Sequence, residues 1–369
     1  MTYNWQQKDW PNFTYDLSGA EDALLLFAEK TGHTSGILKA LPEDTQLDAI
    51  IEIMVSEAIK TSEIEGEHFS RKDVMSSIRN NLGLNKTRDP LIDKKAAGVS
   101  ELMIDVRNTF KDVLTKEQLF TWHKMLLGID AKIKVGGWRD HPEPMQIVSG
   151  AIGKEKVHYE APPSGDVPKE MERFITWFNE TGPGGKNEIK KAPVRSAIAH
   201  LYFESIHPFE DGNGRVGRAI AEKALSQGLG YPALLSMSRT IEAHRKDYYN
   251  ALEAAQQSNE ITSWISYFIG VTLEAQCSAE DQIDFALKKT KFFDRFKNQL
   301  NGRQLKVIRR VLEEGPMGFE GGINAGKYGS MTRVSKSTAT RDLQDLLEKG
   351  ALVYSGINGG RSTKYQVNI

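Results

Sequence analysis

Two helical stretches separated by an interval that no helix crosses constrain this chain more than any other feature. Residues 194–206 (VRSAIAHLYFESI) are apolar at roughly helical spacing, and Pro208 discourages their continuation, so His207 stands at a helix end. Helical character resumes over residues 216–229, and Gly212 and Gly214 free the intervening backbone for positive φ. The interval, residues 207–218, reads H-P-F-E-D-G-N-G-R-V-G-R. A tight corner between two helices therefore carries a histidine, a carboxylate and two arginines, more chemistry than a turn has use for.

Backbone N–H groups at a fresh helix N-terminus form an anion site with the helix dipole behind it. Asp211 lies at its mouth, where a carboxylate alone competes with phosphate, and a Mg²⁺ between the two removes the conflict. Arg215 and Arg218 are three residues apart and share a helix face, so each can fork onto phosphate oxygens. Histidine accepts a proton near neutral pH, which makes His207 the candidate base. No side chain in the motif resembles a covalent nucleophile. The economical reaction is direct attack of an external hydroxyl on a phosphorus atom of a Mg-bound nucleotide.

At these residues the sequence resembles the Fic family of AMP-transferring enzymes, whose motif is H-P-F-x-D-G-N-G-R-x-x-R. The resemblance implies transfer of AMP from ATP to a Ser, Thr or Tyr hydroxyl of a protein, with release of pyrophosphate. It implies His207 as general base, Phe209 as an apolar anchor and Asp211 as the Mg²⁺ ligand. Gly212, Asn213 and Gly214 would form the anion hole, flanked by Arg215, Val216, Gly217 and Arg218 around the ATP. Residues 61–66, T-S-E-I-E-G, resemble the family's inhibitory motif [S/T]-x-x-x-E-[G/N], which implies that Glu65, followed by Gly66, pairs with Arg218 and crowds out the γ-phosphate. Residues 146–163 are Gly- and Pro-rich around a strand-like run and read as a hairpin. By resemblance this is a flap that aligns a target strand, with Val157, His158, Tyr159 and Glu160 near the nucleotide. Residues 245–256 resemble the wall of an adenine pocket, with Tyr249 and Gln256 facing the base; family members often carry Asn at the latter position.

The 369 residues leave room for two or three domains. A hydrophobic fraction of 39%, a charged fraction of 26% and a net charge of −1 exclude a global bias toward nucleic acid or anionic membrane. One cysteine, Cys277, excludes an intrachain disulfide and a Cys-based zinc site. No signal-peptide pattern opens the sequence and no apolar run is of spanning length, so a cytoplasmic protein without a membrane partner is expected. The aromatic opening segment, with Trp5, Trp10 and Phe13, is expected to dock on the helical body.

The fold expected is mainly α: a Fic-type helical bundle with a β-hairpin flap, plus a C-terminal winged helix-turn-helix domain. The domain cuts are 1–95 (extension and inhibitory helix), 96–290 (catalytic core) and 291–369 (winged helix). Helices are expected at 20–29, 45–61, 94–107, 116–127 and 168–179. From residue 290 onward 14 Lys+Arg face 7 Asp+Glu. Helices at 303–314, 324–328 and 335–349, followed by strand-like runs at 351–355 and 363–367, give the winged pattern. Lys336, Ser337, Thr338, Thr340 and Arg341 would face a DNA groove, with Arg361 and Lys364 on phosphates, although such domains also serve protein contacts or dimerisation. The function expected is an autoinhibited protein adenylyltransferase that acts on a partner protein or on itself, with a homodimer as a further partner form. The alternatives are a hydrolase that removes AMP, with Glu65 activating water, and an ATP-sensing DNA-binding regulator.

Overall fold

The structure, a computed structural model, describes residues 2–85, 93–128, 133–149, 156–315, 319, 321–355 and 363–369. Its helices in chain order are α1 (Glu21–Ala40), α2 (Glu43–Ile64), α3 (Arg71–Asn81), α4 (Lys94–Asn108), α5 (Lys116–Leu127), α6 (Val167–Glu180), α7 (Ala192–Ile206), α8 (Asn213–Leu229), α9 (Met237–Ala243), α10 (Arg245–Ala255), α11 (Thr262–Arg295), α12 (Gly302–Leu312), α13 (Ala325–Thr332) and α14 (Lys336–Glu348). Two antiparallel hairpins complete it, β1 (Gln146–Ser149) with β2 (Lys156–Glu160) and β3 (Leu352–Tyr354) with β4 (Tyr365–Val367). The chain divides into two compact units, residues 1–32 with 50–279, and residues 33–49 with 280–369. The cut expected at residue 290 falls inside α11, which runs unbroken to Arg295.

The first unit is built around α7, all fifteen residues of which are buried. Pro193 near its start needs no amide partner. At its end His207 turns into the left-handed region, φ 49° and ψ 61°, and its amide still reaches Phe203 O at 3.0 Å. α8 returns antiparallel to α7: Arg195 Nη1 donates to Ala224 O at 3.1 Å and Ser196 Oγ to Ala221 O at 2.7 Å. Aromatic rings close the other sides. Tyr202 meets Trp10, Phe13, Phe174 and Trp177 edge-on, and Trp264 Nε1 donates to Ala197 O at 2.8 Å.

Docking of the opening segment is thus observed, and Asn4 is its pin. This residue is fully buried; its Nδ2 donates to Ser205 Oγ at 2.8 Å and its amide to Gln256 O at 2.8 Å. The β1–β2 hairpin is anchored at the same place, by Tyr159 OH on Ser205 O at 2.6 Å and Trp5 Nε1 on Glu160 O at 2.8 Å. Its register shifts between Ile147 and Val148, and beyond the shift Val148 and Val157 face each other, both exposed.

The second unit has its own core, with Val307, Ile308 and Val311 of α12, Tyr328 of α13, Leu343 and Leu346 of α14, and Leu352 of β3. Ile323 bridges to Tyr365 beside β4. Arg303 forks onto Asp342 at 2.8 and 3.1 Å, and Tyr328 OH donates to the same carboxylate at 2.9 Å.

Candidate active site

α8 begins at Asn213, three residues before the helical character legible in the sequence, so Gly214 and Arg215 belong to its first turn. Gly212 holds φ 80° directly before it, a conformation a side chain would strain. The loop from His207 to Gly212 is locked from inside. Asn213 is buried, accepting from Phe209 N at 2.9 Å and donating to Phe209 O at 2.8 Å. The side chain of Asn213 therefore shapes the loop and does not face it, which leaves only its amide for an anion. Phe209 is fully buried and stacks on His123, ring centroids 4.0 Å apart and 7° from parallel.

His123 and Arg139 hold this loop, and neither is apparent in the sequence. Gly136 N donates to His123 Nδ1 at 2.8 Å, which fixes the proton on Nε2, and that nitrogen donates to Asp211 O at 3.0 Å. Burial pushes the His123 imidazole below its ordinary value despite the nearby Asp211, so it stays neutral. Arg139 is buried and donates to His207 O at 2.8 Å, Pro162 O at 2.5 Å and Ser164 Oγ at 2.9 Å. Burial lowers its guanidinium to about 10, still charged at neutral pH. It ties the base of the β1–β2 hairpin to the carbonyl of His207.

The two motif arginines are held by one short segment. α2 ends in a turn where Glu67 N reaches Ser62 O at 2.9 Å and Gly66 N reaches Glu63 O at 3.0 Å, with Gly66 at φ 81°. This paired bonding is the usual glycine stop of a helix, and it places Glu65 at the cap. Glu65 Oε1 accepts from Arg218 Nη2 at 2.7 Å. Thr61, the first residue of the T-S-E-I-E-G motif, also holds that guanidinium, Oγ1 accepting from Nε at 2.7 Å and O from Nη2 at 2.9 Å. Burial alone would lower Arg218, but the Glu65 carboxylate outweighs it and drives the group well above its ordinary range. Glu67, which sequence reasoning missed, accepts from Arg215 Nη1 at 2.6 Å and from Lys95 Nζ at 2.5 Å.

The other expected site residues divide. Asp211 is 62% exposed with Oδ1 on Gly212 N at 2.6 Å, and Arg215 Nη2 lies 3.9 Å away. Tyr249 is 39% exposed, with the Arg245 guanidinium over its ring, whereas its neighbour Tyr248 is buried with its hydroxyl 2.8 Å from His200 Nε2. In β2, Val157 is exposed and His158 Nδ1 lies 2.7 Å from Glu253 Oε2. Tyr159 is turned into the core, and Glu160, half-buried, accepts on Oε2 from Gln146 Nε2 at 2.7 Å. Gln256 is likewise buried, its Nε2 on Glu204 O at 3.2 Å, which occupies the amide expected at the adenine edge. Val216 is fully buried and serves packing. Gly217 sits where a Cβ would overlap Glu204 Oε1 and crowd His200 Nδ1. Its side-chain-free face is thus a seat for Glu204.

A family match falls on this region. Residues 113–225 match the model of the Fic/DOC family, and residues 3–84 match one described as a domain of unknown function (DUF4172). A protein adenylyltransferase Fic of Culex quinquefasciatus is 30% identical over 149 residues, 40% of this chain and 26% of that protein. Its counterpart in Aedes aegypti is 28% identical over 152 residues. The match takes in about a quarter of the length of these curated relatives. A Fic family protein from Desulfovibrio desulfuricans G20 superposes with a TM-score of 0.52 at 20% identity, covering 97% of this chain and 98% of that one. A Fic domain containing signaling protein from Bacteroides thetaiotaomicron gives 0.53 at 18% identity, covering 71% and 97%. With the complete motif on the α7–α8 corner, residues 113–225 of this mainly helical chain are a domain of the Fic family.

Proposed function

We propose that the chain is a protein adenylyltransferase that moves AMP from ATP to a Ser, Thr or Tyr hydroxyl of a protein, and that Glu65 restrains it. The observation that carries this reading is the α7–α8 corner: His207 at the end of one helix, the amides of Asn213 and Gly214 opening the next, and Arg215 and Arg218 on its first two turns. The helix N-terminus and Arg215 suit the phosphate chain of the nucleotide. His207 accepts the proton of the attacking hydroxyl as the new O–P bond forms at the α-phosphorus and the bond to the pyrophosphate breaks. Arg218, buried against Glu65 and Thr61, is withheld from a γ-phosphate until Glu65 leaves.

Among the described residues no group of three metal-binding side chains occurs. Asp211, an exposed carboxylate, would hold a Mg²⁺ that arrives with the nucleotide. Such an ion, when bound, neutralises phosphate charge. Tyr249, half exposed beside Arg218, is the residue supported for the base.

For the second unit the reading supported is a winged helix whose α14 meets DNA. Lys336 and Arg341 are exposed on that helix, and Thr338 is half-buried, with its amide on the Ser335 cap at 3.3 Å. Arg361 lies outside the described residues. Loss of duplex binding in Lys336→Ala with Arg341→Ala, steep in salt, is the expected result; salt-independent or absent binding in wild type would leave a protein-contact role.

The deciding experiment incubates wild type, Glu65→Gly and His207→Ala with α-labelled ATP, Mg²⁺ and a cell lysate as target source. The expected result is strong labelling by Glu65→Gly, weak labelling by wild type and none by His207→Ala. Label removed from pre-modified protein by wild type, and not by Glu65→Gly, would instead favour hydrolysis. No label in any sample would sink transfer and favour a nucleotide sensor.

A further inference from the structure

Glu204 lies one helical turn before His207 on α7, and nothing in the phosphate-binding motif uses it. Its side chain is 6% exposed, and Oε2 stands 3.5 Å from His207 Nδ1. Both His207 Nδ1 and Glu204 Oε1 are buried without a hydrogen-bond partner. Unpaired buried polar atoms are costly, so an orphaned Nδ1 beside the Oε2 of a buried carboxylate calls for an explanation. At 3.5 Å the pair is longer than a hydrogen bond, and a movement of a few tenths of an ångström in ring or carboxylate brings it to about 2.8–3.0 Å. Such bonds are often long in ligand-free sites and tighten with substrate.

We propose that Glu204 is the positioning residue of the catalytic base: its carboxylate holds the His207 proton on Nδ1, leaves Nε2 as the acceptor, and balances the imidazolium formed when the hydroxyl proton arrives. This rests on the transferase reading of the same site. The step balances: the hydroxyl proton moves to Nε2, the oxygen lone pair forms the bond to the α-phosphorus as the bond to pyrophosphate breaks and its electron pair leaves on the pyrophosphate oxygen, and the imidazolium beside a carboxylate replaces the neutral ring beside it.

Oε2 of Glu204 is the oxygen on the His207 side, while Oε1 lies on the side of Gly217 and of His200 Nδ1, which is also buried without a partner. His200, also on α7, is kept neutral by burial and spends Nε2 on Tyr248. Arg218 of α8 is taken by Glu65 and Thr61, and Tyr248 of α10 is un-ionised. Burial alone would push the Glu204 carboxyl up, but His207, His200 and Arg218 together hold it below the ordinary range, so it is charged. Two neighbours keep the seat open. Gly217 has no side chain where one would collide with Oε1, and Gln256 Nε2 holds the Glu204 carbonyl at 3.2 Å. The His207 backbone is fixed from the opposite side by Arg139.

The test has a readout independent of activity. In ¹⁵N-histidine-labelled full-length protein, with the His207 signals identified by their loss in His207→Ala, the neutral ring is expected to carry its proton on Nδ1. A proton on Nε2 overturns the proposal without any Glu204 variant. In the Glu65→Gly background, Glu204→Gln is expected to lower kcat about ten- to hundredfold with the KM for ATP within about twofold, and Glu204→Asp to recover part of the loss. Unchanged kcat, or a loss confined to KM, overturns it. Should Glu204→Gln fail to fold, the wild-type tautomer and Glu204→Asp still decide. Absence of transfer by Glu65→Gly alone would count against the transferase reading, and the tautomer would remain as the measure of the pair.

Discussion

The carboxylate of Glu65 occupies the space that a Cβ on Gly214 would need, so the glycine on the first turn of α8 and the glutamate capping α2 are sterically one feature. Gly at a helix start has an electrostatic use in freeing amides, and here it also makes room for a carboxylate from a helix some 150 residues earlier. The two positions must therefore respond to substitution together.

Gly214→Ala is expected to destabilise the otherwise unchanged protein by about 1–3 kcal/mol, because the methyl forces Glu65 off Arg218. In the Glu65→Gly background the same change should be neutral, or stabilising by up to about 1 kcal/mol, since alanine is the better helix former. Denaturant unfolding of the four proteins of the cycle checks this; equal effects in both backgrounds would refute the shared space.

Glu67 joins Arg215 and Lys95, but unequally. Arg215 is 4% exposed at its side chain and Lys95 64%. A cycle of Glu67→Gln with Arg215→Met should give a coupling above about 1 kcal/mol, and one with Lys95→Met below about 0.5 kcal/mol. Thermal melts at low and high salt would separate them, the Lys95 coupling fading with salt.

Lys223 offers a signature in pH. It is buried, and burial brings its ammonium down from 10.5 to about 8. Below pH 8 folded and unfolded chains both hold the proton, and the cost of burying it is fully present. Between about 8 and 10.5 the unfolded chain binds one proton more, so stability from this site rises with pH. Relative to Lys223→Met, wild type should gain about 2 kcal/mol between pH 7.5 and 9.5. A flat difference would mean that the ammonium is not desolvated.

Asn4 pins the opening segment, α7 and β2 at one point, through Ser205, Gln256 and the Tyr159 hydroxyl at 3.3 Å. Asn4→Ala should cost about 2–4 kcal/mol, as several buried groups lose partners at once. Amide exchange should quicken in 156–160 before it does in α8; protection unchanged in the hairpin would show that Trp5 and Tyr159 suffice.

Local signals fixed much of this architecture in advance. α5 lies where its Thr115 cap and Gly128 stop place it, at Lys116–Leu127, and the α7–α8 corner follows from Pro208 and the glycines. The helix expected at 20–29 continues to Ala40, since Gly32 and Gly36 are tolerated inside it. The side chains that hold the corner were not legible. His123, Arg139 and Glu67 act across 68 to 148 residues of chain, and isolated in sequence each looks like an ordinary surface or core residue. Tyr159 and Val157 point to one face by strand alternation, but only Tyr159 lies over the helical body, which periodicity cannot tell. Gln256, which the resemblance places at the adenine edge, is buried with its Nε2 on Glu204 O.

Because α7 is enclosed on every side, its amides should be among the slowest in the molecule to exchange with solvent, opening only when the first unit unfolds. The histidine at its tip is thereby bolted to the least yielding part of the protein, while the glutamates of the 65–67 turn and the hairpin hang from its edges. Anything that switches this site must work by moving the periphery around a stationary base.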